Sequence, residues 1–456
     1  MGEKREQADF EKKAPVTIVL DDDPTGTQSV SGVTVLVKPD YEAIREQLAA
    51  GPQGHALYAL TNTRALPRDE AIALVRRIKA DAERAASETG TAVRFLLRGD
   101  STLRGHVFAE IEALGGNGPA LFVPAFPECG RVTRDGVHYL VTGETWKPVA
   151  ETEFARDPVF GYRSATLEDW VQEASGGSWR LKTVTERDYA ASTGIADAIR
   201  LALREAGPGV VVIPDAGSYE ELCQVAEGLR LAEADGAEVV VRSASTFASI
   251  RCGLKPLELD RADMPANGRL LVVCGSHTEA ASRQLEQLER DTGEKPIVLP
   301  VKRLLQGEQS DVVSEIAARA ATRLNDGKLA ILATERIRLA EHGDLAVGAL
   351  VMKALTEVVR KLAPHCDGVI SKGGITSADV ASVGLGADSA YVAGQLEPGI
   401  SLWRLKPKCQ RRQGGSGSGS GSEREIPYCI VPGNVGDDGT LARLVRIYKR
   451  TGGASL

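Results

Sequence analysis

The segment IVLDDDPTGTQ, Ile18 to Gln28, sets three consecutive carboxylates, Asp21, Asp22 and Asp23, and a Thr25-Gly26 turn directly behind an apolar run. A strand interior cannot keep unpaired carboxylates, because burying a charge without a partner is costly. These acids therefore belong at an open strand end, which is where ligands bind in α/β sheets. A carboxylate placed there can orient a hydroxyl group and take its proton.

Other apolar runs of the first half end in the same way, in TNTR (61–64), RGDSTLRG (98–105) and PAFPECGR (124–131). These ends contribute Asp100, Ser101 and Gly130 together with Arg64, Arg98, Arg104 and Arg131. Guanidinium forks bind carboxylates while Asp and Asn bind hydroxyls, so the set suits a small polyhydroxy acid. Asp and Ser behind a strand also serve as helix caps and turn formers, and the two uses are compatible. Asp100 and Ser101 are expected both to cap a helix starting near Leu103 and to face the site.

The second half ends its apolar runs differently, in CGSHTEA (274–280), ATER (333–336), SKGGITSADV (371–380) and PGNVGDDG (432–439). Glycine admits close backbone approach, and a Ser or Thr leading into a helix presents amides that attract phosphate oxygens. The turns around Ser276, Gly373, Gly374 and Gly433 read either as a phosphate cradle or as plain tight connections between strand and helix. Lys372, the lysine in such a turn, reads as a phosphate attractor. GxxxxGK[ST], a strand-linked GxGxxG, HExxH and the protein-kinase signatures are absent from the sequence. His106, His138 and His277 are scattered and read as structural hydrogen-bonding residues, so no metal ligand is assigned.

The elements that must position these residues follow from the hydrophobic pattern. PVTIVL, GVTVLV, ALYAL, VRFLL, ALFVPAF, VVVIP and EVVVRS alternate with helical spacings such as Asp69 to Ser87 and Ser218 to Ala234. A second series, LLVVCGS, PIVLPV, KLAILAT, DGVISKGG and PYCIVPGN, alternates with Val312 to Leu324 and Val347 to Leu362. Both read as βαβ units, giving an α/β chain of two domains, each with a mainly parallel sheet flanked by helices. The polar Leu257 to Arg269 segment marks the boundary, so the domains are expected at 15–260 and 268–456. Residues 1–14 are expected to form a disordered tail, and the GGSGSGSGS tract at 414–422 a flexible loop without catalytic role.

The 456 residues are 43% hydrophobic and 26% charged, with a formal charge of −7, so nothing points to nucleic acid. Cys129, Cys223, Cys252, Cys274, Cys366, Cys409 and Cys429 form no CxxC pair, which fits a reducing cytoplasm rather than a disulfide framework. The charged N-terminus does not read as a signal peptide, and no 18-residue apolar stretch reads as a membrane span. After the Met-Gly start, Glu6 stands where myristoylation needs Ser or Thr.

DDDPTGTQ, NTR, DSTLRG, PAFPECGR, CGSHT, KGGIT and PGNVG, in that order over roughly residues 15 to 445, resemble the four-carbon acid sugar kinases. The resemblance implies an N-terminal acid-sugar domain and a C-terminal ATP domain that phosphorylate the terminal hydroxyl of a tetronate or 3-oxo-tetronate. It implies ATP with Mg²⁺ as cofactors; charge and hydropathy give no nucleic acid or membrane partner, and a homodimer is left open. On this reading Asp22 takes the acceptor's proton, with Asp21, Asp23 and Asp100 as alternatives. Thr25, Gly26, Arg64, Ser101, Arg104, Gly130 and Arg131 hold the acid. Ser276, Gly373, Gly374, Ile375, Thr376 and Gly433 hold the nucleotide. Two departures stand out: Ile375 occupies a position where the family commonly has an acid, and the segment after Trp403 lacks the family's usual glycine. They motivate a rival reading, a non-catalytic sugar-acid sensor. An aldolase or dehydratase would need a Schiff-base lysine or a metal cluster, and neither is evident.

Overall fold

The computed structural model describes residues 15–52, 55–116, 118–259, 268–335, 345–407, 425–433 and 435–449. The N-terminal tail, most of the boundary segment and the Gly/Ser tract lie outside them. Strands of the first half are β1 (Val16–Asp21), β2 (Val33–Leu36), β3 (Ala56–Leu60), β4 (Val93–Arg98), β5 (Ala120–Val123), β6 (Arg131–Arg134), β7 (Val137–Thr142), β8 (Thr145–Pro148), β9 (Arg180–Val184), β10 (Val210–Pro214) and β11 (Val240–Ser243). The second half supplies β12 (Leu270–Cys274), β13 (Ile297–Leu299), β14 (Ala330–Thr334), β15 (Gly368–Lys372), β16 (Ala387–Glu397), β17 (Ile400–Pro407) and β18 (Ile426–Val431).

Apart from β6, β7 and β8, which form a separate antiparallel sheet, these strands make one 15-stranded sheet in the order β13-β14-β12-β15-β18-β17-β16-β2-β3-β1-β4-β11-β5-β10-β9. Both wings are parallel. The antiparallel pair β16 and β17 joins them, β17 against β18 and β16 against β2. The parallel strands are buried on both faces, as helical crossovers require. In β1, Val19 faces an apolar layer that continues under both halves to Leu271, Val273 and Trp403. Ile18 and Leu20 face the opposite layer, which is separate in each half.

The sequence reading placed every parallel strand of the two wings except β9. It did not anticipate the β6–β8 sheet or the β16–β17 hairpin. The helix expected near Leu103 instead starts at Val107, and Asp100 and Ser101 do not cap it. Leu103 has φ +67, a left-handed conformation that holds the preceding loop out of helix.

Strand order fixes where a ligand can enter. In the first wing the chain runs from β1 toward β2 and β3 on one side and reaches β4 on the other. In the second it runs from β12 toward β13 and β14 on one side and reaches β15 on the other. The connections behind β1 and β4, and behind β12 and β15, therefore diverge and leave crevices at the carboxyl ends of the strands. DDDPTG and RGDSTLRG flank the first crevice; CGSHT and KGGIT flank the second.

Candidate functional site

Behind β1, the three acids part company. Asp21 turns inward: its carboxylate receives Arg98 Nη1 at 3.0 Å and lies where a Cβ on Gly26 would overlap it. Burial, only partly offset by Arg98, pushes its pKa up to about 7. Asp23 caps the 3-10 turn Pro24–Ser29, its Oδ1 receiving the Thr25 amide at 2.6 Å while Oδ2 pairs with Arg64. Asp22 is also buried, yet neither of its oxygens has a hydrogen-bond partner in the structure. Three guanidinium groups stand around it: Arg64 Nε at 3.5 Å, Arg98 Nη1 at 3.6 Å and Arg242 Nη2 at 3.6 Å.

Behind β4, Asp100 pairs with Arg104 at 2.8 Å and with Arg64 at 3.8 Å. Burial raises its pKa, but Arg104 and Arg64 outweigh burial and hold it well below the carboxylate range. Such a group is a weak base. Arg104 also pairs with Asp157 at 3.1 Å. The Ser101 carbonyl accepts a hydrogen bond from His138 Nε2 at 2.8 Å, and burial keeps His138 neutral with a pKa of about 4. His138 thus pins the small sheet onto this loop, and His106 does similar work by donating to Leu66 O.

Gly130 ends the Pro127–Cys129 turn at φ +69, and a Cβ there would overlap the Val141 carbonyl. The turn aims Arg131 inward. Arg131 is 5% exposed, Nη1 donates to the Cys129 carbonyl, and Nε has no partner. Among the described residues, no carboxylate lies within ion-pair distance of it, unlike Arg64, Arg98 and Arg104. Arg104 and Arg131 both lie over the Phe154 ring, at 5.1 and 5.9 Å. A buried cation with no anion of its own carries a desolvation cost that an acidic group brought to it would offset.

In the second wing the turns behind β12, β15 and β18 interlock. A Cβ on Gly275 would overlap Thr376, one on Gly373 would come 3.2 Å from Ser276 Cβ, and one on Gly433 would come 2.9 Å from Ser276 Oγ. Gly373, at φ +114, opens the short helix Gly374–Asp379. Lys372 does not reach out toward phosphate as expected. Its ammonium is buried and donates to the Pro432 and Val435 carbonyls at 2.7 and 3.1 Å, tying the β18 turn to β15, and burial lowers its pKa to about 8. Ile375 is 40% exposed beside this turn.

The two crevices meet. The direction a Cβ on Gly374 would take is filled by the Asp23 carboxylate, so the acid turn of the first wing abuts the Gly turn of the second. Nearby, Trp403 Nε1 donates to Thr27 Oγ1 at 2.8 Å and Thr27 Oγ1 lies 3.2 Å from Ser401 Oγ, fixing the 3-10 turn against β17. Trp403 is therefore a fastener between the halves.

Residues 17–251 match a family model described as a sugar-binding N-terminal domain, and residues 271–441 match one described as a nucleotide-binding C-terminal domain. The chain belongs to the four-carbon acid sugar kinase family. It is 30% identical over 285 residues to a D-erythronate kinase of Heliobacterium modesticaldum, an alignment covering 60% of each chain. It is 28% identical to a D-threonate kinase of Bordetella bronchiseptica over 78% of each chain. A 3-oxo-tetronate kinase of Methylobacterium radiotolerans is also 28% identical, over 84% of this chain and 91% of that one. Among solved structures, a Salmonella typhimurium LT2 protein shares the fold with a TM-score of 0.64 at 18% identity, covering 95% of this chain and 99% of its own. A Haemophilus influenzae protein does so with a TM-score of 0.56 at 18% identity, over 92% and 97%.

Sequence reasoning missed Arg242 and Glu110. Arg242 sits in EVVVRS, an apolar run broken near its end by a cation, the same signal that marks Arg98 in FLLR. Glu110 lies on the helix Val107–Gly115, where nothing in its neighbours separates it from an ordinary surface acid, yet it is 2% exposed. Among the described residues, no helix is long and apolar enough to cross a membrane, and no group of His, Cys, Asp and Glu is arranged to hold a metal.

Proposed function

We propose that the protein is an ATP-dependent kinase that phosphorylates the terminal hydroxyl of a four-carbon sugar acid. The observation that carries this reading is the contact of Gly374 with Asp23, which sets a turn of the nucleotide-type domain directly against the acid turn of the sugar-type domain. Phosphoryl transfer needs positioning and charge neutralisation more than covalent help, and two abutting crevices supply both. The kinase names borne by the relatives agree with it.

Within that site, Arg131 is the anchor for the substrate carboxylate, because the other arginines are already neutralised. Asp22 orients the acceptor hydroxyl and takes its proton. Asp21 is walled in by Gly26 and Arg98, Asp23 is committed to Thr25 and Arg64, and Asp100 is too strongly stabilised as an anion. Ser276, Gly373, Gly374, Thr376 and Gly433 line the nucleotide side, with Ile375 at its rim. Magnesium would arrive with the nucleotide, held chiefly by its phosphates, and would neutralise phosphate charge; Asp23, the carboxylate that faces the Gly turn, would have to share with it the oxygen now paired with Arg64.

Coupled-enzyme measurement of ADP release across erythronate, threonate and their 3-oxo forms tests the proposal. ADP formed with one of these acids and not without it is the expected result. Saturable binding of the acid with no ADP from any of them would favour the sensor reading instead.

A further inference from the structure

We propose that Arg242, held from behind by Glu110, is the positioning residue that fixes the Asp22 carboxylate at the acceptor hydroxyl; this rests on the kinase reading above. Arg242 is the third residue of β11 and is 1% exposed. Its Nη1 donates to Glu110 Oε2, while Nη2 stands 3.6 Å from Asp22 Oδ2. Nη2 and Nε have no hydrogen-bond partner in the structure, so two donors of a buried cation remain unspent beside the crevice.

Two glycines clear the space around it. A Cβ on Gly99 would overlap the guanidinium, and one on Gly105 would lie 3.4 Å from Nη2 and 3.5 Å from Asp22 Oδ2. The other two cations near Asp22 have separate work. Arg64 also pairs with Asp23 and Asp100, and Arg98 holds Asp21, the Asp23 carbonyl and the Ser245 hydroxyl. Among the described residues, Arg242 pairs only with Glu110 and Asp22. Glu110 lies on the helix behind the sheet, and its one ion pair among the described residues is with Arg242.

A buried ion pair is a weak device for stability, since apolar replacements of both partners are often tolerated. One that leaves Nη2 beside a carboxylate whose own oxygens lack hydrogen-bond partners points to the site instead. The planar guanidinium, clamped on one edge by Glu110, presents its other edge in a fixed direction.

The test is a double-mutant cycle on ADP release with the preferred tetronate. Glu110→Gln should lower kcat about tenfold or more while the KM for the acid changes less than about threefold, the pattern of a contribution confined to the transition state. Combined with Asp22→Asn, Glu110→Gln should add nothing further, because it acts only through Asp22. The charge-balanced variant Glu110→Leu/Arg242→Met leaves no lone buried charge and should keep a cooperative thermal transition while showing the same loss of kcat. Wild-type kcat in Glu110→Gln or in the charge-balanced variant, or losses that multiply with Asp22→Asn, would overturn the inference alone. A wild-type protein that releases no ADP with any tetronate would overturn the kinase reading, and the inference with it.

Discussion

Gly374 faces the Asp23 carboxylate so closely that a Cβ would overlap it. Asp23 cannot simply withdraw, because Oδ1 receives the Thr25 amide and Oδ2 pairs with Arg64. Gly374→Ala should therefore disturb the acid site as well as the nucleotide turn. Overpacking of this kind costs about 1–3 kcal/mol of stability, enough to force both turns to shift. Calorimetry should show weakened binding of both ATP and the tetronate; loss confined to ATP would mean that Asp23 yields freely.

Asp22 and Asp100 separate by single amide substitutions. Asp22→Asn keeps shape but removes the base, so kcat should fall about 10² to 10⁴ with acid binding retained. Asp100→Asn removes an anion shared by Arg104 and Arg64 and should instead raise the KM for the acid and lower the thermal midpoint. Steady-state kinetics on the pair decides the assignment, and near wild-type kcat in Asp22→Asn would sink it.

The sequence disclosed the site better than its connections. Strand-end acids and arginines are visible because an apolar run that stops abruptly at charge marks the carboxyl end of a strand, and Asp21 and Arg98 end β1 and β4, although both then turn inward and pair with each other. The β16–β17 hairpin was legible only weakly: EPGI holds a turn at Gly399, with φ +78, but the flanking strands mix polar and apolar residues because bulges interrupt their pairing. What no spacing could show is pairing across the halves. Thr27 with Trp403, and Asp23 with Gly374, depend on how the two wings are joined, and that is a property of the whole sheet. Lys372 misled for the converse reason: a lysine in a Gly turn suggests phosphate, whereas here its donors are taken by the carbonyls of Pro432 and Val435.

Arg131 is a buried cation without a carboxylate partner among the described residues, so substrate and stability should pull in opposite directions there. Arg131→Met should raise the KM for the sugar acid roughly ten- to hundredfold, the worth of a charge-assisted hydrogen bond. Without ligand, the same change should hold or raise the thermal midpoint, because burial already disfavours the charge. Scanning calorimetry with and without tetronate checks both: the wild type should gain stability from the acid, and the variant should gain little. A variant as strongly stabilised by the acid as the wild type would show that the carboxylate binds elsewhere.

Asp21 gives the fold a pH dependence opposite to that of an ion-paired carboxylate. Burial raises its pKa in the folded protein to about 7, so the folded chain holds a proton there that the unfolded chain releases near pH 4. Its contribution to stability is therefore fully present below about pH 4, declines as pH rises, and is lost above about pH 7. The shift corresponds to an upper bound of about 4 kcal/mol. Asp21→Asn resembles the protonated side chain at every pH and removes this titration. Denaturant unfolding of both proteins at pH 5 and pH 8 isolates it, since the other titrating groups, such as His138, are common to the two and cancel. The wild type should lose stability relative to Asp21→Asn between those values. A difference that stays constant would mean that Arg98, at 3.0 Å, keeps Asp21 ionised throughout and that the pair is an ordinary buried salt bridge.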